Sequence, residues 1–120
     1  MVEVYDIETT KSAFTYVGLD IKTNKISQFI LHKDLNELSA MVTHIKSLKG
    51  MIGFNNINFD YPILHYIFNN YCNNNGEYCY WVEDFTACNI IDDIYNEAQR
   101  IINDQNKPFS TPTYRKRWHY

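Results

Sequence analysis

Between residues 34 and 50 the chain carries an apolar stripe, Leu35, Leu38, Met41, Val42, Ile45 and Leu48, at the three- and four-residue spacing of one helix face. Strand-like segments flank it on both sides, and two strands joined by a helix of this length imply a parallel crossover. That directs the chain to the α/β class. Asp34 and Glu37 stand at capping-box spacing ahead of the stripe, and Gly50 is placed to close the helix as a left-handed residue. On the N-terminal side, residues 2–7 alternate and are β-branched or aromatic, which predicts a strand, and residues 13–21 and 26–31 predict two more. Lys22-Thr23-Asn24-Lys25 joins the latter pair, with Asn24 suited to a left-handed turn position. The expectation is an antiparallel three-strand meander followed by a parallel β-α-β unit. After the stripe, residues 51–54 read as a short buried strand and residues 60–71 as a second helix. Its inward face would be Ile63, Leu64, Ile67 and Phe68, with Pro62 in the first turn.

Residues 77–82 suggest another strand, and residues 89–105 a third helix with Ile90, Ile91, Ile94, Ala98, Ile101 and Ile102 on one face. Pro108 and Pro112 break any helix beyond that. The expected organisation is one partial domain over residues 1–106 and a basic, aromatic tail over residues 107–120. A chain of 120 residues allows one compact domain, and 45% hydrophobic with 21% charged residues places it among globular proteins. A net charge of −3 gives no general basic field, so nucleic acid would have to be held at a local site or through metal ions. No apolar run approaches the ~20 residues of a membrane span, and the opening residues lack a signal-peptide pattern. A cytoplasmic protein without a membrane partner is expected. Cys72, Cys79 and Cys88 fit neither a disulfide framework nor a zinc site and read as incidental thiols.

Asp6 and Glu8 are two residues apart at the end of the first strand, so their side chains share one face. Such a pair either closes the strand in water or is neutralised by hard divalent cations, which favour carboxylate and phosphate oxygens. Asp60 follows a short strand and an Asn-rich turn at a helix start, where an N-cap is its ordinary job. The same order of elements would also bring it beside the end of the first strand.

Asp6-Ile7-Glu8-Thr9-Thr10 resembles the first motif of the DEDD 3′–5′ exonucleases, and Gly53-Phe54-Asn55 through Phe59-Asp60-Tyr61-Pro62 resembles their second. The likeness is closest to the proofreading domains of family-B DNA polymerases and to related phage and viral exonucleases, and it covers residues 2 to about 71. It implies a ribonuclease H-like fold and two divalent ions, Mg²⁺ or Mn²⁺. By the resemblance, Asp6 would bridge both ions, Glu8 would ligate one, and Asp60 would hold the other, mostly through water. Two ions about 3.5–4 Å apart activate a water and stabilise the leaving oxygen of an in-line displacement. The implied activity releases nucleoside 5′-monophosphates from a single-stranded DNA 3′ end, with RNA as an alternative substrate. Substrate contacts would fall to Thr9, Phe14, Asn55, Asn58 and Phe59; for the last four, turn or packing roles are the competing reading.

The family carries a third motif, a Tyr or His followed four or five positions later by an Asp on a late helix. Tyr80-Trp81-Val82-Glu83-Asp84 matches Tyr-x-x-x-Asp, but in a strand-like context and soon after the second motif, so Tyr80 and Asp84 are the weakest of the candidates. Asp92 and Asp93 fit the solvated face of the third helix. The chain therefore reads as the N-terminal part of an exonuclease, C-terminally truncated, with a second polypeptide as one source of the missing part. The alternative is a catalytically incomplete module that binds nucleic acid or protein, in a phage or virus. Truncation further predicts exposed apolar surface where a missing helix would pack, and hence self-association or a partner.

Overall fold

The computed structural model describes residues 1–53, 59–72 and 87–105. Eight elements follow in order: β1 (Val2–Thr9), β2 (Phe14–Asp20), β3 (Ile26–His32), β4 (Leu35–Asn36), α1 (Leu38–Ser47), β5 (Gly50–Ile52), α2 (Tyr61–Tyr71) and α3 (Ala87–Gln105). They build an α/β fold on one five-stranded mixed sheet of order β4-β3-β2-β1-β5. Strands β1 to β4 pair antiparallel, whereas β5 runs parallel to β1 after the α1 crossover. The expected meander and β-α-β unit are both present. Asn24 takes the left-handed turn position with φ 59°, where its short polar side chain tolerates the crowding that L-residues meet.

Alternation along the strands divides the sheet into two unlike faces. Tyr5 and Ile7 of β1, Phe14 and Tyr16 of β2 and Leu31 of β3 point to one side and are buried. Against them pack Leu38, Met41, Val42 and Ile45 of α1, Ile63, Leu64, Ile67 and Phe68 of α2, and Ile90, Ile91, Ile94, Ala98 and Ile101 of α3, all in one core. The opposite side presents Val4, Asp6 and Glu8 from β1 and Val17 and Leu19 from β2, all exposed. No helix among the described residues is long and apolar enough to cross a membrane.

Three local expectations need correction. Helix α1 begins at Leu38, not near Leu35, because Leu35 and Asn36 pair with His32 and Leu31 as a two-residue edge strand. Asp34 therefore lies in the turn before that strand, its N–H donating to His32 Nδ1 at 3.0 Å. Asn36 takes over at the helix start, its Oδ1 accepting from the Leu38 N–H at 3.0 Å. Glu37 reaches back to β3, its Oε1 accepting from the Ile30 N–H at 3.0 Å. At the other end, Leu48 leaves α1 in extended backbone (φ −77°, ψ 141°), and Gly50 opens β5 in place of closing the helix. Ile102 is exposed, off the buried stripe of α3. The strand expected at residues 77–82 and the tail at 107–120 lie outside the described residues.

Candidate functional site

Asp6 and Glu8 share the outer face of β1, opposite Val17 and Thr15 of β2 respectively. Both are exposed. Among the described residues, β5 pairs with β1 from Val2 to Val4. The chain re-enters at Phe59, which packs partly buried against the core, and Asp60, which is itself buried.

Asp60 does not cap α2. Its backbone is helical (φ −62°, ψ −47°) and its side chain makes no capping hydrogen bond. Burial pushes its carboxyl up to about 6, and the neighbouring charge of Asp6 pushes in the same direction. Asp60 thus stands within electrostatic reach of Asp6, in a site where its ionised form is disfavoured. Thr9, expected as a substrate contact, pairs with Phe14 at the end of β1 and has the parity of Tyr5 and Ile7, on the other face from Asp6 and Glu8; its Oγ1 is buried without a hydrogen-bond partner among the described residues. A carboxylate whose ionisation is opposed by burial and by a neighbouring acid belongs to a donor set that suits a hard divalent cation. Among the described residues, no group of three or more acidic, His or Cys side chains converges into a ready metal cage, and Glu8 stands one pleat repeat further along the strand.

The other expected contacts divide. Phe14 is buried in the core on the helix-covered side, opposite Thr9 in the β1–β2 ladder and on the other face from Asp6 and Glu8. Asn55 and Asn58 lie outside the described residues, as do Tyr80 and Asp84. Asp93 accepts a hydrogen bond from the Tyr71 hydroxyl at 3.0 Å, which ties α3 to α2.

A second cluster of ionisable groups escaped the sequence reading. Glu3, on the core face of β1, is fully buried. It accepts from the Tyr16 hydroxyl at 2.6 Å, and His44 Nε2 of α1 lies 3.0 and 2.9 Å from its two carboxylate oxygens. Burial, followed by the Glu3 contact, holds the Tyr16 hydroxyl well above the ordinary tyrosine range. Tyr5 stacks on Tyr16, and Phe29 lies against both Tyr16 and His44, so aromatic rings wall the carboxylate in. Gly18 makes the room: a Cβ there would fall 1.9 Å from Glu3 Oε1. Each of these groups is satisfied by another, which marks the cluster as a structural tie between β1, β2 and α1. The available signal was the parity of Glu3 with Tyr5 and Ile7 on one strand face. No family model, curated protein or solved structure matches this chain, so the functional reading stands on its own motifs and geometry.

Proposed function

We propose that this chain is the N-terminal part of a DEDD-type 3′–5′ exonuclease with a ribonuclease H-like sheet, acting in the cytoplasm, or in a host cytoplasm if viral. Its substrate would be a single-stranded DNA 3′ end, or RNA, and its product nucleoside 5′-monophosphates. The observation that supports this most directly is Asp60, a buried carboxylate without a capping role, whose ionisation is opposed by Asp6. In this reading Asp6 and Asp60 hold divalent ions, Mg²⁺ or Mn²⁺, at the end of β1, and Glu8 adds a ligand from the same strand face as Asp6. Bound ions of this kind polarise a water and offset charge on a leaving 3′-oxygen. The exposed position of Asp6 and Glu8 leaves the site open to a chain end from the outer face.

The test is incubation of the full chain with a 3′-labelled single-stranded oligonucleotide in Mg²⁺ or Mn²⁺, beside an Asp6→Ala control. Metal-dependent release of mononucleotides that is lost by at least about 100-fold in the variant is the expected result. Unchanged Mn²⁺ binding in Asp6→Ala, read by calorimetry, would overturn the site assignment. A second reading, a nucleic-acid- or protein-binding module without turnover, has its support in the lack of a three-ligand cage among the described residues. It predicts oligonucleotide retention without cleavage by a folded chain, with a second polypeptide needed for activity.

A further inference from the structure

We propose that the outer face of the sheet is a self-association surface, on which a second copy of this chain docks about a two-fold axis. The registers place one apolar residue from each of four neighbouring strands in a single row: Ile52 beside Val4, Val4 beside Leu19, and Leu19 beside Ile26. All four are open to solvent, at 52, 36, 38 and 66%. Val17 on one side of the row and Ile21 on the other are exposed as well. With strands about 4.8 Å apart the row runs for about 14 Å, and with its neighbours it forms a continuous patch on the order of a few hundred Å². Among the described residues the helices give it no cover, since α1, α2 and α3 all contribute to the core on the other side.

Charge on this face selects the occupant and its orientation. Beyond the row toward the end of β1 stand Asp6 and Glu8, with Lys11 in the loop that follows and Lys33 and Asp34, which offset one another, in the β3–β4 turn. Beyond it in the other direction lies the β2–β3 turn, with exposed Lys22 and Lys25. The face is therefore apolar in the middle, acidic at one end and basic at the other. A two-fold axis lying in the interface along the row turns the row onto itself and reverses strand direction. The acidic end of one sheet then faces the partner's Lys22 and Lys25. An axis parallel to the strands would instead set acid on acid, which costs free energy. Face-to-face sheets pack about 10 Å apart, a gap that long Lys and Glu side chains can span. Such an isologous contact closes at two copies. The dimer covers the approach to Asp6 and Glu8, so it excludes a substrate at that site; the inference does not depend on the nuclease reading.

Sedimentation equilibrium of the full chain tests it. Twice the 14.3 kDa mass of the single chain is expected at about 100 µM, as suits an apolar patch smaller than the about 800 Å² per partner of a standard interface. Leu19→Lys with Ile26→Lys should give a monomer with an unchanged circular dichroism spectrum, since both side chains point to solvent. Lys22→Glu with Lys25→Glu, confined to an exposed turn, should weaken the dimer about tenfold at low salt, and the difference should vanish near 0.5 M salt. The proposal is overturned if the wild type is monomeric at that concentration, if the dimer survives the double lysine variant, or if charge reversal leaves it unaltered. It is equally overturned by a monomer whose face binds hydrophobic dye only after residues 107–120 are removed, because the chain's own C-terminal segment would then be the cover.

Discussion

An aspartate at a helix start usually satisfies its carboxylate with the first backbone N–H groups; Asp60 forgoes that and is buried within electrostatic reach of Asp6. Its folded pKa of about 6 lies above the ordinary 3.8. A carboxyl raised in this way binds its proton more tightly folded than unfolded, so its contribution to stability is full below about pH 4 and is lost as pH rises through about 6. For the metal-free protein, Asp60→Asn is expected to raise stability near pH 7.5 by about 1–2 kcal/mol, with allowance for water reaching the site. Urea denaturation across pH 4 to 8 measures this, and the variant should lose the fall seen between about pH 4 and 6 in the parent. Identical profiles would mean that Asp60 is not held against a second charge. Motif spacing was enough to nominate Asp6, Glu8 and Asp60. Local pattern could not separate a cap from a partner for Asp60, because that choice depends on where the β1 edge lies once the sheet has formed.

At the scale of elements, α1 is tied to the sheet by more than its apolar stripe. His44 reaches the buried Glu3 carboxylate at 2.9 Å, and Tyr16 completes its coordination from β2. Removing one member of a buried pair leaves the other uncompensated, so His44→Ala should cost about 3 kcal/mol in urea denaturation. A His44→Gln variant, which keeps a donor, should lose less; equal losses would assign the cost to packing alone. Periodicity made β1, β2, β3, α1, α2 and α3 readable, since each carries a run long enough to show a period. It failed at Leu35, whose spacing from Leu38 suits a helix but whose backbone pairs with His32. Two residues are too few for a strand period, and the pairing that decides their state comes from β3. Gly50 misled for a related reason: parallel pairing with Val2 draws it into β5, and the helix ends earlier to permit this. Glu3 was missed because a charged residue on a core face becomes acceptable only through partners 13 and 41 positions away.

Across the whole molecule, the contacts differ widely in the length of chain they must close. Thr9 pairs with Phe14 and Leu19 with Ile26 across short hairpins, whereas Val2 meets Gly50 only after the meander and α1 are in place. Loop closure grows more costly with the length of chain enclosed, and pairings of long sequence separation form late. Pulse-labelled hydrogen exchange during refolding should therefore protect the β1–β2 and β2–β3 ladders before the β1–β5 ladder. Simultaneous protection of all three would contradict this order. The three-residue β5 thus has a kinetic role out of proportion to its length. Until it docks, β1 has one bare edge beside residues 2–4, and a free strand edge is a template for any other extended chain. On a ribosome, where β1 emerges first and β5 some fifty residues later, that interval is measured in seconds at typical synthesis rates of about 5–20 residues per second. The newly made chain, more than the finished fold, is then the form in which mispairing is decided.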